Sequence, residues 1–435
     1  MDLRSFIRKL RKRNEILTIS KALSVSNEVA EYEKRYENKT ICLKPKGFPS
    51  FKIVANLLNS RRKFALGLGI KEDDFYSFLS KKANNPKPYE EIGREEVKYI
   101  KLRDLRDLPI VTHYENDAGP YITSSIVIVK NPETSTQNAS FHRMRFYKFN
   151  QLVIRLVEGR HLHTIYSSLK EKGKETPIAI VIGVHPAVEI AAAYQAPYGV
   201  DELEIANSLM NGELKVIRTP YTNLHVPIAE IIIEGRISIQ EKGEDRMVEI
   251  LGNYDLTRMQ PVVYVENILC RENPIYRDIL PASKEHRLLM SLPIEAKLNK
   301  FVKDVVPSTK KVILTDGGCN WLHAVVQISK KLEGDGKNAI IAAFACHPSL
   351  KLVIVVDEDI DPEDPISVEY AIATRFQAEK DLIIIKGAKG SSLDPSSDQE
   401  KLLTDKLGID ATRSLGKSKE VFERAKIVSR RIRKE

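Results

Sequence analysis

The chain has 435 residues, 42% of them hydrophobic, and a formal net charge of +9. That length suits two or three domains with large cores, and no apolar run is long enough to span a membrane. The charge is spread evenly, 68 Lys and Arg against 59 Asp and Glu, with no nucleic-acid motif beside it. Attraction for small acidic substrates or phosphates explains it at least as well, and a basic nucleic-acid-binding protein is the alternative of a different class.

In chain order, "MDLRSFIRKLRKRNEIL" reads as an amphipathic helix with Leu3, Phe6, Ile7 and Leu10 on one face. It lacks the apolar core of a signal peptide, so a cytoplasmic protein is expected. "FKIVANLL" is a strand, and "LPIVTHYENDAGPYITSSIVIVK" a loop followed by a strand. Between 176 and 270 strands dominate, which predicts a barrel or sandwich-like sheet. One helix interrupts them, "DELEIANSLMNG", capped by Asp201 and ended by Gly212. From 311, "KVILTDGG", "WLHAVVQISKKL", "NAIIAAFA", "KLVIVVDED", "VEYAIATRF" and "DLIIIK" alternate strand and helix, as in a βαβ-type domain. The tail reads as a basic helix with Val421, Ala425, Val428 and Ile432 in a stripe suited to docking. The four cysteines form no C-x-x-C pair, so no zinc ribbon or disulfide framework is indicated.

Three clusters carry chemistry. "QNASFHR" and "IRLVEGRHLHTIY" supply Asn138, Arg143, Arg155, Arg160, His161 and His163, and Glu202 opens the capped helix. A carboxamide, an imidazole and a carboxylate suit Mn²⁺ or Mg²⁺ better than a structural zinc, although each residue also suits a turn or a solvated surface. In "EKGEDRMVE", Glu244 and Glu249 lie five apart with Asp245 and Arg246 beside the first. Such carboxylates suit acid–base work or simply a solvated hairpin. The acids Asp357, Glu358, Asp359 and Asp361 read as a strand-end turn with helix-capping groups.

Taken in order, "LPIVTHYENDAGPYIT", "NASFHRMR", "GRHLHTIY", "IGVHPAVEIAA", "YGVDELEIA", "VPIAEIIIEGRI", "VVDEDIDPEDP", "ATRFQAEKDLIII" and "SSLDP" resemble the UbiD-type reversible decarboxylases, which depend on prenylated FMN. The resemblance implies a mixed α/β (α+β) fold. Its parts would be an N-terminal α/β domain (1–105), a central split β-barrel flavin domain (106–300), a C-terminal α/β domain (301–415) and a terminal helix for subunit contact (416–435). It implies that Asn138, His161 and Glu202 bind a divalent metal, Mn²⁺ or Mg²⁺, that also holds the cofactor phosphate, with K⁺ a further candidate. Phe141, His142, Arg143, Arg155, Leu156, Val157, Arg160 and Lys389 would contact the cofactor. Arg143, Glu244 and Glu249 would form the catalytic network, with Glu249 as proton donor and Glu244 holding Arg143.

His142 stands where the family often has tyrosine, and the "EDRMVE" loop lacks the family's usual glycines. The implied partners are a small carboxylic acid substrate, a flavin prenyltransferase as cofactor supplier, and further copies of the chain in a dimer or hexamer. Two substrates fit the family: trans-anhydromevalonate 5-phosphate, decarboxylated to isopentenyl phosphate, and an aromatic acid such as polyprenyl-4-hydroxybenzoate. The basic, thermophile-like composition leans toward the phosphorylated one, as in the archaeal branch.

Overall fold

The structure is a computed structural model that describes residues 2–425. The chain divides into two compact units, Met1–Ala296 and Lys297–Glu435. The divisions expected at 1–105 and 106–300 both fall within the first unit, apart from its last few residues.

In the first unit, helix Leu3–Lys12 starts at Asp2, whose carboxylate accepts from the Ser5 backbone N–H at 2.9 Å. Its expected face is buried: Leu3, Phe6, Ile7 and Leu10 are 0–2% exposed. Four strands form one sheet in the order Ile16–Leu23, Thr40–Pro45, Lys52–Ala55 and Ile275–Arg277. The last comes from far along the chain and pairs in parallel with Lys52–Ala55. No local pattern announces that return.

The strand-rich middle is a nine-stranded sheet. Its path runs Tyr121–Ile122, Met144–Lys148, Gln151–Ile154, Arg258–Arg271, Ile231–Asp245, Thr176–Ile182, Ile126–Lys130 and Gln137–Phe141, with Tyr99–Lys101 also pairing with Arg258–Arg271. Neighbours on the path are antiparallel. Thr176–Ile182 and Ile126–Lys130 are nearly continuous runs of buried aliphatics, because the sheet is covered on both faces. Helix Glu202–Leu209 begins at Asp201, whose Oδ1 accepts from the Leu203 N–H at 2.8 Å.

The second unit holds a five-stranded sheet in the order Thr309–Leu314, His323–Ile328, Leu352–Asp357, Leu403–Ala411 and Leu382–Lys389, with helices Asp335–Cys346 and Pro365–Arg375. It departs from strict alternation at "WLHAVVQISKKL". His323–Ile328 is a strand, antiparallel to Thr309–Leu314, because Gly317 and Gly318 open a tight connection too short for a helix. The acidic run behaves as a structural turn: Asp357 and Asp359 pair with Arg375 at 2.6 and 2.7 Å, and Asp364 caps the helix that follows.

Half of the expected terminal helix, 416–435, lies outside the described residues. Val421 falls in a short 3-10 turn, Lys419–Phe422, and is exposed; Ala425 is not helical; Val428 and Ile432 are beyond the described range. No helix among the described residues is long and apolar enough to cross a membrane.

Candidate active site

Three elements bring Asn138, His161 and Glu202 together. Asn138 lies on strand Gln137–Phe141, paired with Val129 of the neighbouring strand. Glu202 is the first residue of its helix, so the Asp201 cap fixes where its side chain starts. His161 is the first residue of helix His161–Glu171. Gly159, with φ of +76°, turns the chain into that helix through a conformation that other residues rarely adopt. Glu202 Oε1 and Oε2 lie 2.9 and 3.0 Å from Asn138 Nδ2, and Oε2 also accepts from the Ala139 N–H at 2.8 Å. His161 Nδ1 is 3.4 Å from Asn138 Nδ2 and 3.8 Å from Glu202 Oε1. Ligands at bonds of about 2.1 Å around one small cation are separated by similar distances.

The hydrogen bonds beside this trio bear on whether it can hold a metal. Asn138 and Ser140 alternate along the strand and so share a face, and His142, just past the strand's end, meets Ser140. Burial pushes the His142 imidazole down to about 4, so it is neutral near pH 7. Its Nδ1 lies 2.9 Å from the Arg155 carbonyl, which can only accept, so Nδ1 carries the proton. Nε2 then accepts, and the Ser140 hydroxyl 3.0 Å away must donate to it. That leaves Ser140 Oγ able only to accept from Asn138, 3.2 Å away. The end of the amide facing Ser140 is Oδ1, which has no proton to give. Turned over, the same amide donates Nδ2–H to Ser140 and presents Oδ1 beside the Glu202 carboxylate and His161 Nδ1. Three electron-pair donors would then converge, an arrangement that needs a cation.

The second cluster surrounds Arg143. Its Nη2 bonds Asp245 at 2.8 Å and Asp255 at 3.2 Å, and its Nη1 bonds Glu249. Burial disfavours the guanidinium charge, but Glu249 and Asp245 outweigh it and push the pKa above the usual arginine range. Asp245 also accepts from the Tyr121 hydroxyl at 2.9 Å. Asp255 gathers Arg155 at 3.6 Å and Arg258 at 3.4 Å as well. Burial raises its pKa, but Arg143, Arg258 and Arg155 together hold it below the usual range. Nε of Arg143, Arg155 and Arg258 are all buried without a hydrogen-bond partner among the described residues. Three such donors suit an anionic group, as a phosphorylated flavin or a carboxylate substrate would supply.

Glu244 does not join this cluster. It was expected to hold Arg143, but it is exposed, and Asp245 takes that place. Neighbours in a strand point to opposite faces, and here the inward position is 245. Asp255, Arg258 and Tyr121 were not anticipated. Asp255 lies in the loop of the hairpin between Ile231–Asp245 and Arg258–Arg271, and Arg258 begins its far arm, where it pairs with Asp245. A charged pair flanking a hairpin loop was the available signal.

The remaining residues are spread around these clusters. Leu156 is buried, and its N–H donates to Gln260 Oε1 at 2.9 Å. Phe141 is half-buried, while Val157 and Arg160 are exposed. A cavity of about 470 Å³ lined by Leu156, His163, Lys170, Lys242 and Met259 opens beside this stretch. Lys389 lies in the second unit, exposed at the end of strand Leu382–Lys389.

Residues 86–284 match the family model described as the 3-octaprenyl-4-hydroxybenzoate carboxy-lyase Rift-related domain. Residues 7–83 and 287–411 match the N-terminal and C-terminal domains of the same enzyme. The chain belongs to the UbiD family of carboxy-lyases. Among UbiD-family relatives, the anhydromevalonate phosphate decarboxylase of Methanocaldococcus jannaschii is 47% identical over 405 residues, covering 92% of this chain and 94% of that one. The decarboxylase of the same name from Methanothermobacter thermautotrophicus is 41% identical, covering 97% and 99%. The solved UbiD-class enzyme HmfF from Pelotomaculum thermopropionicum, in complex with FMN, superposes with a TM-score of 0.95 at 36% identity, covering 98% of each chain. An evolved dimeric form of HmfF in complex with prFMN gives 0.90 at 35% identity.

Proposed function

We propose that this UbiD-family protein is a prenylated-FMN-dependent decarboxylase of trans-anhydromevalonate 5-phosphate, releasing CO₂ and isopentenyl phosphate. The observation that carries the substrate is the set of five archaeal anhydromevalonate phosphate decarboxylases, 38–47% identical along 92–98% of this chain. The gallate decarboxylase of Lactiplantibacillus plantarum, which would favour an aromatic acid, is only 28% identical.

Asn138, His161 and Glu202 hold a divalent ion, with Mn²⁺ the first candidate, Mg²⁺ the second, and K⁺ as an accessory. That ion, with Arg155 and Arg160, compensates the cofactor phosphate. When bound, the modified flavin supplies the electron sink for the charge left as CO₂ departs. Arg143 faces the substrate carboxylate and fixes its orientation. Asp245 and Asp255 hold Arg143 in place and keep it charged. Glu249 is the most open of the cluster's three carboxylates, its side chain 25% exposed against 13% for Asp255 and 0% for Asp245. It can therefore take a proton from water and deliver it to the carbon that lost CO₂. The protein works in the cytoplasm as a homo-oligomer, with its flavin provided by a prenyltransferase.

The test is CO₂ release by cofactor-loaded enzyme from a panel of trans-anhydromevalonate 5-phosphate, its unphosphorylated form, 4-hydroxybenzoate and gallate. Turnover of the first alone is expected. Preference for either aromatic acid would overturn the substrate assignment.

A further inference from the structure

We infer that Glu33, His113 and Asp278 form a second divalent-cation site in the first unit, separate from the Asn138–His161–Glu202 trio. They come from three distant segments: helix Glu28–Arg35, the loop ahead of strand Tyr121–Ile122, and the residue after strand Ile275–Arg277. One ligand atom from each lies within 4.8 Å of the others, and all three residues are buried.

Three observations favour a cation there. First, both carboxylate oxygens of Glu33 are buried without a hydrogen-bond partner among the described residues, and Glu33 is 0% exposed. An unpaired carboxylate in that position is costly. Second, the local charges do not balance. Four acids are buried in this neighbourhood, Glu33, Asp278, Glu189 and Glu285, each 0–2% exposed. The nearby Arg277 is already committed to Glu189 at 3.1 Å and to Glu285. Lys63 donates to the Thr40 hydroxyl at 2.6 Å. Third, the geometry suits two adjacent ligands. His113 Nε2 lies 3.0 Å from Asp278 Oδ2. Two ligands on bonds of about 2.1 Å meeting at a right angle are about that far apart. The other Asp278 oxygen accepts from Thr123 Oγ1 at 2.9 Å, the kind of outer bond that orients a metal-binding carboxylate.

A single proton shared between Glu33 and Asp278 is the competing occupant. It would satisfy one Glu33 oxygen and leave the other bare. An imidazole with two carboxylates suits a d-block ion such as Mn²⁺, Zn²⁺ or Fe²⁺ better than Ca²⁺. Such an ion would cross-link the N-terminal helix region to the flavin-domain segments, with a structural rather than a chemical role.

The experiment strips the full-length protein with a chelator and titrates it with Co²⁺, counting bound metal by elemental analysis and visible absorption. Wild type is expected to take up two equivalents per chain. His113→Gln should take up one and keep its flavin. His161→Ala should also take up one, but lose the flavin, which separates this site from the trio. Equal uptake by wild type and His113→Gln overturns the inference and leaves Glu33 and Asp278 as a proton-sharing pair. Should His113→Gln not fold, anomalous diffraction from wild-type crystals soaked in Mn²⁺ decides. A peak between Glu33 and Asp278 upholds the site, and its absence there overturns it.

Discussion

Asp245 accepts a 2.8 Å hydrogen bond from Arg143 and a 2.9 Å one from the Tyr121 hydroxyl. The carboxylate that holds the arginine is thus fixed in turn by a fully buried tyrosine. Rigid support of this kind holds a guanidinium in one orientation.

Asp245→Asn keeps the shape but removes the charge. Turnover should fall by about 10²–10³-fold, the range seen when one preorganised electrostatic group is lost. Thermal stability should fall too, since Arg143 would lose one partner of a buried pair. Glu244→Gln should leave turnover within about twofold, as surface changes usually do. Steady-state rates of the two variants check this, and the reverse order would return Glu244 to the role expected of it.

Glu249→Gln retains a hydrogen-bonding partner for Arg143 but cannot deliver a proton. Turnover should drop by about 10²–10⁴-fold while flavin absorbance is unchanged. Exchange of solvent deuterium into the alkene product, read by NMR, should disappear with it. Exchange at the wild-type rate would rule Glu249 out as the proton carrier.

Metal affinity should depend on Ser140 although Ser140 touches no metal. Ser140→Ala removes the acceptor that turns the Asn138 amide toward the cation. A loss of about 10-fold in Mn²⁺ affinity is expected, as for other outer partners of metal ligands. His161→Ala should lose both metal and flavin on purification. Full flavin occupancy in a metal-free His161→Ala protein would refute the trio's role.

Stability should fall in mild acid. Burial holds His142 and His185 near 4, below the ordinary 6.5. Above pH 6.5 neither the folded nor the unfolded chain carries these protons, and there is no effect. Between 6.5 and 4 the unfolded chain binds them and the folded one does not, so stability declines as pH falls and levels off below 4. The loss is bounded at about 3 kcal/mol per histidine. His185 Nδ1 also accepts from the Ala187 N–H at 3.2 Å, capping helix Pro186–Ala193. His185→Asn should keep the cap and flatten the melting temperature against pH; an unchanged slope would exclude His185 as a contributor.

Much of this protein was legible from sequence because the relevant signals are local. The buried face of Leu3–Lys12 follows from helical spacing within ten residues. The Asp201 cap, and with it the position of Glu202, follows from two adjacent residues. The signals for Asn138, His161 and Glu202 lie in the sequence too, since their donor types suit one cation and their order resembles a family. Which residue faces Arg143 was decided only in three dimensions. Strand Ile231–Asp245 shifts register against Arg258–Arg271 twice, once between Glu234 and Gly235 and again between Ile237 and Lys242. Each such irregularity breaks the two-residue alternation, so counting along the strand cannot say whether 244 or 245 points inward. Glu33, His113 and Asp278 were equally invisible. They meet because Ile275–Arg277 returns to pair with Lys52–Ala55, a contact between segments more than two hundred residues apart. Local periodicity and capping act over a few residues, whereas register and long-range pairing depend on how whole sheets pack.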